Sequence, residues 1–342
     1  MLFRSVVGLR QVAKAAGVST ATVSRAVNTP ELVSAELRNR IASVVQELGW
    51  VPHGAARALT TRRSGAIGAV FPTLSHGDFA RAAEALQDEL TTKGYTLLLA
   101  CSHYDLEEEQ RLVRKFVENG ADAIALVGNT HLPVLIELLE RRAVPYVNTF
   151  NFVPGVAGNC IGPDNRKAMF QLTKHLLAQG HREFGIIAQV ISNNDRATAR
   201  LQGVKDALSE AGLGIRREHL QEGRWTIAEG RQLMAAILEH RPWPTAVMCG
   251  NAYLAVGAVL EALASNIKLP DELSIVGYDD IEIMQELPVP ITTLRVRSDE
   301  VGRRVATYLI AAIEGRTIDV APECEVEIVQ RASSGPPRCE VT

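Results

Sequence analysis

No apolar run in the 342 residues approaches the ~18 needed to span a bilayer, which excludes a membrane helix. The opening stretch, Met1 to Arg10, lacks the apolar core and small-residue cleavage site of a secretory signal, so a cytoplasmic protein is expected. Cysteine is sparse. Cys101, Cys160, Cys249, Cys324 and Cys339 are odd in number and contain no CxxC pair, which argues for reduced thiols and against a disulfide frame or a zinc site. GxSxG, a P-loop, HExxH and a GxGxxG after a strand are all missing. Gly65-Ala-Ile-Gly68 precedes an apolar run and is no phosphate loop, and Asp105 with Glu107, Glu108 and Glu109 reads as an acidic helix start. No catalytic residue, metal ligand or cofactor is therefore expected.

What is present begins with uneven charge. Residues 1–65 hold nine Lys and Arg against three Glu, a net +6, and the remainder holds 27 basic against 36 acidic residues, a net −9. A basic end on an acidic body points to a polyanion as partner of that end alone. A chain this long also exceeds one ordinary core, so two or three domains are expected.

Leu9, Val12, Ala13 and Ala16 recur at helical spacing, and Gly17 closes that short helix. Ser19 then stands at an N-cap, before a helix from Thr20 to about Asn28 that is expected to bury Val23, Ala26 and Val27. A third helix starts at Ser34, carries Leu37, Ile41, Val44, Val45 and Leu48 on one stripe, and closes at Gly49. Two short helices across a Gly-Val-Ser turn, covered by a third, make a helix-turn-helix.

The run Leu9-Arg-Gln-Val-Ala-Lys-Ala-Ala-Gly-Val-Ser-Thr-Ala-Thr-Val-Ser-Arg-Ala-Val-Asn28 resembles the headpiece of the LacI/GalR family of bacterial regulators, and so do Val33-Ser34 and Gly49-Trp50-Val51-Pro52 leading to Ala55-Ala56-Arg57-Ala58-Leu59. The resemblance extends to about Arg331, and within the family it points to the gluconate-type regulators. It implies a DNA-binding transcriptional regulator, a homodimer on a near-palindromic operator. By resemblance, Thr20, Ala21 and Arg25 choose the sequence in the major groove, while Ser19, Thr22, Ser24 and Asn28 position phosphates. Ala56 and Leu59 fall on a hinge helix that the family lays in the minor groove, with Leu59 as the wedge. That helix is too short to bear its own nucleation cost, so it is expected to form only on DNA. The boundaries are residues 1–50 for the headpiece, 51–65 for hinge and linker, and 66–342 for the body.

In the body, apolar runs alternate with helical stripes: Ile67–Phe71, Thr96–Ala100, Ala123–Val127, Pro145–Asn148, Phe184–Ala188, Ala246–Cys249 and Leu273–Val276 read as strands. Alternation of this kind means parallel sheets with right-handed crossovers, and two sets of it mean two doubly wound lobes with a ligand at the strand C-termini. The family's counterpart is a periplasmic-binding-protein-like, two-lobed α/β body. Thr292-Thr293-Leu294 is expected to return the chain to the first lobe, and Glu323 to Arg331 to add a last strand.

By resemblance the effector residues are Phe79, Phe150, Arg200, Trp225, Asn251 and Asp279. A polar fork beside aromatic planes suits a polyol. Ala252, Val296 and Phe150-Asn151 depart from acidic or amide residues usual in the family, which with Arg200 retained shifts the expectation to a sugar acid. The two rival readings are a free solute-binding protein and an enzyme on the same α/β fold.

Overall fold

The computed structural model describes residues 7–51, 63–155, 159–317 and 319–337, and it divides into two compact units at Gly65. The smaller unit holds three helices, α1 (Leu9–Ala15), α2 (Thr20–Asn28) and α3 (Ala35–Leu48). Gly17, at φ +64°, lets the Val18 N–H turn back to the Ala13 carbonyl and end α1. Ser19 and Ser34 then cap α2 and α3 by accepting the Thr22 and Leu37 N–H groups. Val12, Ala13, Ala16, Val23, Ala26 and Ile41 form the core. Val27 is not part of it. Val23 and Ala26 already fill the small interior, and Val27, at the edge of their face, is 36% exposed.

The larger unit contains two sheets. The first has order β2-β1-β3-β4-β5, all parallel, from β1 (Ala66–Phe71), β2 (Thr96–Cys101), β3 (Ala123–Val127), β4 (Tyr146–Thr149) and β5 (Cys160–Ile161). Helices α4 (Gly77–Thr92), α5 (Leu106–Glu118) and α6 (Pro133–Arg141) connect them. α4 shares a core with one face of the sheet, and α5 and α6 with the other. Burial on both faces is why β1 and β3 read as continuous apolar runs and not as alternating ones, whereas β2 at the edge stays partly exposed. Asp105 caps α5, accepting from the Glu107 and Glu108 N–H groups, so the acidic run is a helix start.

The second sheet has order β11-β10-β9-β8-β6-β7, with only β11 antiparallel. Its strands are β6 (Phe184–Gln189), β7 (Leu220–Gly223), β8 (Ala246–Cys249), β9 (Ser274–Tyr278), β10 (Thr292–Val296) and β11 (Val326–Val329). α7 (Asn165–Ala178) and α8 (Asp195–Glu210) cover one face; α9 (Ile227–Leu238) and α10 (Ala252–Ala264) cover the other. A single turn, α11 (Ile283–Glu286), precedes β10.

The crossings between lobes correct one expectation. Thr292-Thr293-Leu294 stays in the second sheet, paired with Val276, Gly277 and Tyr278. The return to the first lobe follows Val296, through α12 (Ser298–Glu314), which packs along α4. The chain then crosses once more to lay down β11 as the last strand. Among the described residues no helix is long and apolar enough to cross a membrane.

Gly302 sets the approach of α12 to α4: a Cβ there would meet the Ala82 carbonyl oxygen at 2.3 Å and the Leu86 nitrogen at 2.9 Å. Neither backbone atom moves without displacing a helix. Gly302→Ala is expected to destabilise the larger unit by about 1–3 kcal/mol, read as a lowered urea midpoint with an unchanged slope.

Candidate functional site

On the smaller unit, α2 presents Thr20, Ala21 and Arg25 to solvent. Thr22, Ser24 and Asn28 are half-buried beside them. The Ser19 and Thr22 hydroxyls lie 2.9 Å apart, and the Asn28 amide donates to Ser24 Oγ at 3.2 Å, so these polar side chains are already oriented. Among the described residues Arg25 has no ion pair, and its guanidinium is free for an external acceptor. Ala56 and Leu59 lie outside the described residues.

In the larger unit the strand C-termini of both sheets converge on one cavity. Its wall brings together four of the expected residues, Phe79, Phe150, Arg200 and Asp279, with His76, Asp78, Tyr104, Asn165, Gln189, Asn194, Arg196, Tyr278 and Val296. Asn165 is the hub. Its amide donates to the Phe150 carbonyl at 3.0 Å, and its Oδ1 accepts from Arg200 Nη1 at 2.9 Å and the Tyr278 hydroxyl at 3.0 Å. Arg200 Nη2 donates to Gln189 Oε1 at 3.2 Å, and the guanidinium lies 4.5 Å from the Tyr278 ring centroid. That leaves Arg200 Nε, a buried donor, without a partner; Asp78 Oδ2 and His76 Nε2 are orphaned likewise. Three buried polar atoms without a partner thus share one small wall, where most interiors leave none.

Asp78 opens α4 and accepts from Ser298 Oγ at 2.7 Å, across to α12. Burial raises its pKa, and it raises that of Asp279 further, the charge of Asp78 adding to the desolvation. Asp279, at φ +70°, is half-buried and lines the cavity. Next to it Asp280 is clamped by Arg331 and Arg295, which hold its carboxyl below the ordinary value despite burial. The departures at Asn151, Ala252 and Val296 therefore do not leave the cavity without carboxylates, because Asp78 supplies one from another position.

Trp225 lies at the lip, its ring 4.4 Å from Tyr104 and 5.9 Å from His76, both of the first lobe. Asn251 lies off the wall. Its Oδ1 caps α10 by accepting the Leu254 N–H at 3.0 Å, which is the use an Asn before a helix most readily finds. Three of the wall residues that sequence reading did not name had an available signal. His76 and Asp78 stand just before Phe79 where α4 begins, after a first strand, where ligands gather in such sheets, and Arg196 lies one helical turn before Arg200 on α8.

The cavity measures about 30 Å³, room for roughly one water, whereas ligand pockets run from ~300 Å³ upward. The lobes are closed on it. Tyr253 donates to the Ser75 carbonyl at 2.7 Å, Gln189 to the Tyr104 hydroxyl at 3.0 Å, and the Asn129 N–H and the Asn151 amide both to Asp195 Oδ2, at 2.8 and 2.6 Å. A carboxylate at position 151 would repel Asp195 where the amide donates.

Two family models match, one described as bacterial regulatory proteins, lacI family, over residues 8–53, and one as a periplasmic binding protein-like domain over 173–334. The chain is 30% identical to the HTH-type transcriptional regulator GntR of Pseudomonas aeruginosa over 331 residues, 95% of each chain. It is 29% identical to the HTH-type transcriptional repressor CytR of Escherichia coli over 329 residues, covering 95% of this chain and 96% of that one. Among solved structures, the Lac repressor dimer bound to operator and the anti-inducer ONPF has the same fold, with a TM-score of 0.85 and 23% identity over 96% of this chain and 99% of that one.

His76 gives a pH signature. It stacks on Phe79 and Tyr253, and burial, followed by the charges of Arg200 and Arg196, lowers its pKa to about 4. Below pH 6.5 the unfolded chain takes up a proton that the folded one refuses. This group's contribution to stability is thus lost as pH falls from about 6.5 to about 4, by up to about 3 kcal/mol. His76→Asn is expected to flatten the fall in unfolding free energy over that window relative to wild type, measured by urea titration at pH 6.5 and 4.5.

Proposed function

The chain belongs to the LacI family of bacterial regulatory proteins, and from that premise we propose that it is a cytoplasmic homodimeric repressor whose operator affinity is lowered by a sugar acid or related polyol bound between the lobes. The observation that carries the effector reading is the trio of orphaned buried atoms, Arg200 Nε, Asp78 Oδ2 and His76 Nε2, on one cavity wall. Arg200 offers a donor for a ligand carboxylate. Asp78 and Asp279 accept from hydroxyls, and Phe79 and Phe150, with ring centroids 4.8 Å apart, cover C–H faces. Since the closed cavity holds only a water, a ligand must enter a more open arrangement. Its effect on DNA cannot exceed its preference for one arrangement over the other.

The DNA reading rests on the exposed row Thr20, Ala21 and Arg25 on a capped helix in a basic unit. Thr20 and Ala21 are short, so Arg25 supplies the strongest direct readout, its fork suiting guanine O6 and N7. Operator affinity is expected to fall steeply with salt, with a log–log slope of about −0.9 per phosphate contacted. Arg25→Ala is expected to cost about 1–3 kcal/mol and relax preference at one symmetric base pair, as measured by binding to a randomised operator library. Unchanged preference would remove Arg25 from base readout.

For the effector, operator binding is measured with aldonates, uronates, neutral sugars and nucleosides, on wild type and on Arg200→Lys. An aldonate or uronate is expected to weaken wild-type binding, with at least a tenfold higher concentration needed for the variant. A response to nucleosides or neutral sugars alone overturns the sugar-acid reading, and a ligand that tightens DNA binding reverses the direction proposed.

A further inference from the structure

The contact between Asp195 and the first lobe has a second partner on its far side. The Asn129 N–H that donates to Asp195 Oδ2 belongs to the same peptide as the Gly128 carbonyl, and that carbonyl faces His131 Nε2 at 2.9 Å. His131 Nδ1 in turn faces Glu109 Oε2 at 2.8 Å, and both side chains are nearly inaccessible, at 2% and 7%. A carbonyl oxygen only accepts, so Nε2 carries a proton. Nδ1 and Oε2 cannot both be bare at 2.8 Å, so a second proton lies between them, and Glu109 favours it on the imidazole. The pair therefore binds one more proton than a free neutral imidazole beside a free carboxylate. One peptide unit is thus held between an imidazolium on its oxygen and, across the lobe boundary, a carboxylate on its N–H.

We propose that closure of the two lobes is coupled to a proton on His131, the Gly128–Asn129 peptide relaying it to Asp195 of the second lobe. An imidazolium on the carbonyl draws electron density from the peptide and makes its N–H a stronger donor to Asp195, and the Asp195 charge favours the imidazolium in return. The reciprocity is thermodynamic: whatever the proton contributes to closure, closure contributes to the proton.

The local build fits the relay. Gly128 has φ +84°, and a Cβ there would meet Arg196 Nη1 at 2.0 Å, so the peptide is fixed in a conformation and a space that favour glycine. The charged groups around the imidazole are Glu109 from α5, Asp195 at the start of α8, and Arg196, which pairs with Asp195 at 3.1 Å and faces Gly128. Burial opposes the imidazolium, but Glu109, Gly128 and Asp195 prevail and raise its pKa above the ordinary value. The closed arrangement is therefore favoured at lower pH and weakens as pH rises through the His131 pKa.

Trp225 reports closure, since its ring rests on Tyr104 and His76 of the other lobe, and His76 stays neutral above pH 6. The test follows the emission of the full chain from pH 6 to 10, corrected with Trp225→Phe, while NMR of labelled histidine gives the His131 pKa. Wild type is expected to show an emission transition whose midpoint matches that pKa, and His131→Gln to show none. Asn151→Asp separates relay from plain electrostatics. An added carboxylate acting through charge alone raises the His131 pKa, whereas repulsion of Asp195 that opens the contact lowers it. The expected result is a fall of at least half a pH unit, a threefold loss of proton affinity, with unchanged far-ultraviolet circular dichroism. A transition that survives His131→Gln, or a His131 pKa that is unchanged or raised in Asn151→Asp, overturns the coupling.

Discussion

The larger unit depends on what Asn165 does with one carboxamide. It stands at the first residue of α7, where the chain has just left the first lobe, and it binds the Phe150 carbonyl behind it and Arg200 and Tyr278 ahead of it. Phe150 is held at φ +59°, a conformation that a bulky residue adopts only when its surroundings impose it. Without the hub, Arg200 would lose the bond that aims its guanidinium, and a buried cation with too few acceptors is among the most costly defects an interior can contain. The closed cavity and the covalent crossing between lobes are fastened by the same side chain.

Much of this was legible in the residues. Helix ends follow local chemistry, so Ser19, Ser34, Gly17 and Gly49 announced the three-helix unit, and the apolar runs of Ile67–Phe71 or Ala246–Cys249 announced buried parallel strands. What stayed hidden depended on partners distant in the chain. β5 is two residues long and β7 four, too short for any period to show. α12 carries its apolar residues between charges that pair along its own exposed side. Thr292-Thr293-Leu294 looks the same in sequence whether it completes one sheet or enters the other, since register is decided by β9.

The candidate site divides along the same line. Phe79 and Asp279 are placed by a helix start and a strand end, which a sequence reveals, and Arg200 by the second turn of α8. Asn251 shows the ambiguity of a polar residue before a helix: the position that suits a ligand also suits a cap, and the nearer N–H takes its oxygen. Asp78 matters because Ser298 reaches it from 220 residues away, a contact no local pattern encodes.

The route of the chain between the lobes has a mechanical consequence. Three separate segments pass from one lobe to the other: before α7, between β10 and α12, and between α12 and β11. A single tether would let one lobe swivel, slide or drift away from the other. Three ties, each joining the second lobe at a different point of the chain, remove most of those freedoms. Any movement that opens or shuts the cavity must therefore strain or relax all three ties together, so the lobes can answer one another only as whole bodies.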